Sequence, residues 1–89
     1  MTSKTTERFR RAFGALPDHV QKRARHAYRR FRDDPAHPGL HFKQIHAKRP
    51  IYSVRVGLGY RALAVRDGDT VTWFWIGAHD EYERLLRTL

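Results

Sequence analysis

The hydrophobic pattern of this chain changes period from 3.6 to 2 at Asp33-Asp34-Pro35, and no other feature constrains the fold as much. Upstream, Phe9, Ala12, Phe13 and Leu16 recur at i, i+3, i+4 and i+7, the spacing of one helical face. Leu16-Pro17 ends that helix. Asp18, with Gln21 three residues on, has the form of a capping box and opens a second helix. Val20, Ala24, Ala27, Tyr28 and Phe31 make its apolar stripe. Proline disfavours helix in the residue before it, so Pro35 stops the helix, and Pro38-Gly39 completes a turn.

Beyond that turn the period is 2. Leu40–Ile45 reads as a first strand, Ile51–Val56 as a second, Tyr60–Arg66 as a third and Thr70–Ile76 as a fourth. Gly57-Leu58-Gly59 and Asp67-Gly68 are too short to connect anything but antiparallel neighbours. Trp73 and Trp75 alternate with Phe74 and Ile76, so the last strand is apolar on both faces and is expected to be covered on both. Gly77 ends it. Asp80 then caps a final helix, with Tyr82, Leu85, Leu86 and Leu89 on its apolar side. The expected fold class is α+β, with residues 1–89 as one domain. Two N-terminal helices pack on a four-stranded antiparallel sheet, a short C-terminal helix packs back on it, and one sheet face is left partly open.

Cysteine is absent, which removes disulfides and thiolate metal sites. No apolar run approaches the roughly 20 residues of a membrane span, and the N-terminus lacks a signal-peptide core, so a soluble cytoplasmic protein is expected. The six histidines are scattered, with no zinc-binding spacing, and neither a metal nor a cofactor is expected. Phosphate loops and nucleophile elbows are also missing.

The formal charge is +9 and it is unevenly placed. Residues 1–32 hold ten Lys/Arg against Glu7 and Asp18, a balance of +8; residues 33–89 hold eight against seven acids, a balance of +1. Lys22, Arg23, Arg25, Arg29 and Arg30 on the second helix, with Lys48 and Arg49 further on, form a candidate docking surface for phosphate backbones or an acidic protein.

Candidates for chemistry fall in the sheet half: Lys43, His46, Arg55, Arg61, His79 and Tyr82. Arg55 and Arg61 flank a tight turn on paired strands. Arginines in mid-strand need a carboxylate, a phosphate or solvent, and the acidic stretch Asp80–Glu83 is the internal alternative to a ligand. His79 lies at the last strand–helix junction beside Asp80 and Glu81, a setting that suits a general acid, though a plain helix start gives the same spacing. Tyr82 falls in line with Leu85 and Leu86, which places its ring with the core and its hydroxyl at the rim.

The segments LPDHVQKRARHAYRRF, DPAHPGLHFKQI, YSVRVGLGYRAL and TVTWFWIGAHDEYERLL, in that order, resemble the RelE/ParE superfamily of bacterial toxins across nearly the whole chain. The resemblance implies a microbial RNase-type fold and the toxin of a type II toxin–antitoxin pair, neutralised by a small acidic antitoxin. In the RelE-like branch it implies metal-independent, ribosome-dependent cleavage of mRNA, leaving a 2′,3′-cyclic phosphate and a 5′-hydroxyl. In the ParE-like branch it implies inhibition of DNA gyrase without nuclease activity, and a catalytically inactive relative would only bind RNA or antitoxin. Arg61 matches the family's phosphate-binding strand arginine, Arg55 a basic residue of the preceding strand, and His79 the turn that carries a catalytic Arg or His. Where RelE proper has two lysines this chain has Ile51 and Ser53, so Lys43, His46 or Lys48 stands in as the base. Tyr82 is the nearest match to a C-terminal catalytic tyrosine.

Overall fold

A computed structural model describes Met1–Leu89, and its first element is one that the hydrophobic pattern does not announce. Thr2–Thr5 forms a strand, β1, joined by backbone hydrogen bonds from Thr2 to Asp69 (2.7 Å) and from Thr6 to Trp73 (3.0 Å). Thr6 then caps helix α1 (Glu7–Gly14), its Oγ1 accepting from the Phe9 amide at 3.1 Å. Helix α2 spans Asp18–Asp33. A 3₁₀ turn (Pro38–Leu40) leads to β2 (Lys43–Gln44), β3 (Ile51–Val56), β4 (Tyr60–Asp67) and β5 (Thr70–Ala78), and α3 (His79–Leu86) closes the chain.

The sheet has five strands, ordered β1-β5-β4-β3-β2. The expected four-stranded antiparallel meander is therefore incomplete, because β1 adds a fifth strand parallel to β5. Thr-Ser-Lys-Thr is polar and has no buried residue, so its strand conformation comes from pairing with β5 rather than from a pattern of its own. The expected Leu40–Ile45 strand shrinks to two residues. Leu40 belongs to the 3₁₀ turn, and His41 takes the left-handed conformation (φ 49°), which breaks strand geometry. A non-glycine residue there costs on the order of 1–3 kcal/mol. It persists because Leu40 is buried on one side, and on the other the Phe42 ring lies 4.9 Å from both Phe31 and Tyr52.

Neither expected acidic cap forms. Pro17 and Ala78 occupy the N-cap positions of α2 and α3, with no side-chain cap bond, and Asp18 and Asp80 sit inside the first turns. There they still favour the positive end of the helix dipole. Gln21 instead reaches back to the open end of α1, its Nε2 donating to the carbonyls of Phe13 (3.1 Å) and Leu16 (3.2 Å). Tyr28, placed in the apolar stripe by spacing, is 44% exposed.

One irregularity in β5 sorts its aromatics between the two faces. The register runs Leu63↔Trp75 and then Ala64↔Trp73, so Phe74 is an extra residue opposite none. Strict alternation would put Trp73 and Trp75 on the same face. With the bulge, Trp73 joins Ile76, Val54, Ala62 and Phe31 under α1 and α2, where Phe31 meets its ring edge-on at 5.3 Å. Trp75 turns to the opposite face and lies over Gly77, where a Cβ would come within 2.6 Å of the indole. That second face, which also carries Ser53, Arg55 and Arg61, receives α3: the buried Tyr82 hydroxyl donates to Ser53 Oγ at 3.4 Å. Helices therefore cover both faces, not one.

Two stability outcomes follow from this packing. Phe31→Ala removes the ring that joins α2 to Phe42 and Trp73 and should cost about 3–5 kcal/mol in a denaturant titration. Gly77→Ala forces the indole of Trp75 off its seat and should cost about 1–3 kcal/mol by the same measurement.

Candidate functional site

The second face of the sheet narrows into a cleft of about 270 Å³ between α3 and the β2–β3–β4 strands. Its floor follows from register. Lys43 lies opposite Ser53, and Arg55 opposite Arg61, so all four project from the same face of adjacent strands. His79, Tyr82 and Glu83 form the wall contributed by α3. The first of these is tied to the strands by its backbone: the His79 amide donates to the Gly59 carbonyl at 2.8 Å, joining the start of α3 to the β3–β4 turn.

Arg55 and Arg61 are directly opposed like charges, an arrangement that disfavours the folded state. The internal alternative, an ion pair with Asp80–Glu83, does not form. The three ion pairs in the molecule are Glu7–Arg11, Asp33–Arg32 and His79–Glu83. Each cleft guanidinium spends only part of its five-donor fork internally. Arg61 Nη1 donates to the Tyr60 carbonyl at 2.8 Å, with its guanidinium 6.0 Å from the centre of the Tyr82 ring. Arg55 Nε donates to the Gly57 carbonyl at 3.3 Å, and its Nη1 lies 3.4 Å from His41 Nε2. The remaining N–H groups form a fork suited to the oxygens of a phosphate.

His79 Nε2 sits 3.3 Å from Glu83 Oε1, an i,i+4 contact on α3. Tyr82 is buried, its hydroxyl occupied by Ser53 and its ring 5.9 Å from that of His79. Of the six chemical candidates, Lys43, Arg55, Arg61, His79 and Tyr82 meet in the cleft, and His46 does not. The His46 ring holds the β2–β3 loop together, with Nδ1 accepting from the amides of Lys48 (3.0 Å) and Arg49 (3.1 Å). Lys48, in that same loop, is likewise outside the cleft. Sequence reasoning missed His41 and Ser53 on the cleft and took Glu83 only as part of the acidic stretch facing the arginines. Ser53 was legible from its alternation with Arg55 on one strand, and Glu83 from its i+4 spacing to His79. No group of three or more His, Asp or Glu side chains is arranged to hold a metal ion.

A family model described as the ParE-like toxin domain matches residues 18–84, from the start of α2 to the body of α3. The chain belongs to the ParE-like toxin family, within the RelE/ParE superfamily. No curated protein is significantly similar to this toxin in sequence. Its fold is shared with solved toxins at low identity. The RelB–RelE antitoxin–toxin complex of Methanococcus jannaschii matches with a TM-score of 0.73 at 19% identity, covering 92% of this chain and 96% of the other. YafQ of Escherichia coli matches with a TM-score of 0.71 at 5% identity, over 90% and 94% of the two chains. The isolated E. coli RelE toxin matches with a TM-score of 0.67 at 15% identity, over 99% and 98%.

The candidate docking residues of this ParE-like toxin lie on two surfaces, both away from the cleft. Lys22, Arg23, Arg25, Arg29 and Arg30 are exposed along α2, while Lys48 and Arg49 sit on the β2–β3 loop. Between α1 and α2 the core opens into a groove of about 900 Å³, floored by Phe9, Phe13, Val54, Trp73 and Ile76. Every charged residue that lines it is basic: Lys4, Arg10, Arg25, Arg29 and Arg32. Arg25 lies 5.2 Å over the Phe13 ring, a cation–π contact that holds it at the rim. No helix of the toxin is long and apolar enough to cross a membrane.

The opposed arginines yield a stability outcome separable from activity. Arg55→Gln relieves the like-charge pair and should leave the melting temperature unchanged or slightly raised, by up to about 1 kcal/mol of stability. A loss of more than that would mean that Arg55 serves packing rather than a ligand.

Proposed function

We propose that this chain is the toxin of a type II toxin–antitoxin pair and that its cleft cleaves mRNA on the ribosome without a metal. The observation that carries the reading is the convergence of Arg55, Arg61, Lys43 and His79 in one cleft of about 270 Å³, with neither guanidinium neutralised by a carboxylate. Cleavage by the 2′-hydroxyl requires cations to hold the charge that builds on phosphorus, an acid for the departing 5′-oxygen, and a base. Arg55 and Arg61 are the clamp on the non-bridging oxygens, Lys43 adds to the local field, and His79 is the acid. Tyr82 supports the Arg61 guanidinium with its ring. The products are a 2′,3′-cyclic phosphate and a 5′-hydroxyl.

The groove between α1 and α2 supports the antitoxin half of the reading. An apolar floor inside a wholly basic rim fits an acidic amphipathic helix, as in a partner that balances this toxin's charge. The exposed α2 cations are equally suited to ribosomal RNA when that partner is gone. The ParE-like description of the family favours a second reading, a gyrase inhibitor without nuclease activity. A gyrase binder has no need of a converged, uncompensated cationic cleft, and on that ground we prefer the nuclease.

Induced expression followed by mapping of mRNA 5′ ends tests the choice. Cuts within translated codons bearing 5′-hydroxyls are expected, and Arg61→Ala should slow them about 10²–10³-fold. Intact mRNA together with filamentation and DNA damage would replace the nuclease by the gyrase inhibitor. Ribosome binding, measured by co-sedimentation, should weaken steeply between about 50 and 200 mM salt through released counterions. Arg25→Glu with Arg29→Glu should flatten that dependence. Binding indifferent to salt would remove α2 from the docking surface.

A further inference from the structure

The nuclease reading leaves one role unfilled. His46, a sequence candidate for the base, is spent on the β2–β3 loop. Lys43 lines the cleft, but an ammonium has no lone pair with which to take a proton. We infer that His41, a residue singled out by neither its spacing nor its neighbours in sequence, is the general base of this cleft.

Three observations carry the assignment. First, His41 lines the cleft together with Arg55, Arg61 and His79. Second, its Nε2 lies 3.4 Å from Arg55 Nη1. A guanidinium nitrogen can only donate, so Nε2 carries its lone pair and the ring proton is on Nδ1. That is the tautomer a base at Nε2 requires. Third, its backbone is held left-handed (φ 49°) between the buried Leu40 and the stacked Phe42, with its amide donating to Pro38 at 3.3 Å. A non-glycine residue keeps such a conformation only where its surroundings over-determine it, and such positions cluster at functional sites.

The charged and titratable groups around His41 separate the two histidines into opposite roles. Arg55 from β3, Lys43 from β2 and Arg61 from β4 are all cationic, and Tyr82 is committed to Ser53. Glu83, the one carboxylate of the cleft, is taken by His79. One imidazole thus faces an arginine and the other a carboxylate, so the two rings stand in opposite electrostatic settings. As phosphate enters, Arg55 keeps its proton but redirects its hydrogen bond from His41 to a non-bridging oxygen, and Nε2 is uncovered. Nε2 takes the proton of the 2′-hydroxyl and the 2′-oxygen bonds to phosphorus. The bond from phosphorus to the 5′-oxygen breaks, its electron pair going to that oxygen, which takes a proton from His79. One proton is taken and one given, and exchange with water restores both rings.

This assignment rests on the nuclease reading, and the test separates the two. Wild-type protein, His41→Asn and Lys43→Gln are assayed on ribosomes carrying a reporter mRNA across a pH series. Asparagine tolerates the left-handed backbone and still accepts from Arg55, but cannot titrate. His41→Asn should cut at least about 10²-fold more slowly, and its pH–rate profile should lose the limb that rises with pH. Lys43→Gln should lower the rate across the series and keep both limbs. Nitrogen NMR of the free protein should find the neutral His41 ring protonated on Nδ1. Wild-type rate and an unchanged profile in His41→Asn, or a neutral ring protonated on Nε2, overturns the assignment and leaves the nuclease standing. An uncut message with wild-type protein overturns both.

Discussion

The extra residue in β5 is the constraint on which both the cleft and the groove depend. By opposing Phe74 to nothing, the bulge sends Trp73 under the helices and Trp75 to the far side of the same strand. Trp73 then closes the core beneath α1 and α2 with Phe31, and it also floors the groove between them. Trp75 lies over Gly77, directly across from Arg61, and so sets the bed from which the strand leaves toward His79. With strict alternation both indoles would crowd one face, and the other would lose one of its two large rings. A shift of one residue would also turn Arg61 and Gly77 out of register, separating the arginine from the helix that carries the candidate acid.

A cleft of this kind is held at some cost to the fold. Opposed arginines repel, His41 occupies a backbone conformation that its side chain disfavours, and no internal carboxylate neutralises the strand cations. Each is a local disagreement between sequence and structure, and all three fall on one cleft. Natural sequences concentrate such disagreements where a ligand resolves them. A bound phosphodiester would neutralise both guanidiniums at once and free the His41 ring. The rest of the core, from Val20 and Leu40 to Leu63 and Val71, is closely buried and supplies the rigidity that keeps these groups from relaxing apart.

How much of this was legible in the sequence depended on the range of the forces involved. The two N-terminal helices, the three long strands and the last helix follow from periodicity and tight turns, because each buries an apolar face of its own. That Arg55, Arg61 and His79 share one cleft is legible because short turns fix their register and the family pattern marks their places. β1 was not legible, since Thr2–Thr5 has no apolar alternation and exists only through its partner. The Phe74 bulge was missed because four consecutive aromatic and branched residues read the same with or without it. His41 stayed hidden among six histidines, because its place in the cleft depends on one left-handed residue between two anchors that belong to different parts of the core. His46, one of three candidates for the base, illustrates the opposite case: near Lys48 and Arg49 it looks like part of a basic cluster, yet its lone pair is spent on their amides.

Net charge summed over a segment hides how the fold distributes it. Residues 33–89 carry a balance of only +1, which suggests a neutral sheet half. The fold separates the signs within that half. Asp67 and Asp69 go to the β4–β5 hairpin, Asp80 and Glu81 to the first turn of α3, and Glu83 to the His79 ring. Lys43, Arg55 and Arg61 remain together in the cleft. A low-dielectric wall formed by Tyr82 and Leu86 strengthens the field of those three cations on any anion between them. Positive potential is thus present on both sides of the sheet in different settings. On the helical side it is exposed, lies around an apolar groove, and is readily screened by salt. In the cleft it is partly enclosed and less screened, so salt that releases the toxin from a docking partner should leave the hold of Arg55 and Arg61 on a phosphate largely intact.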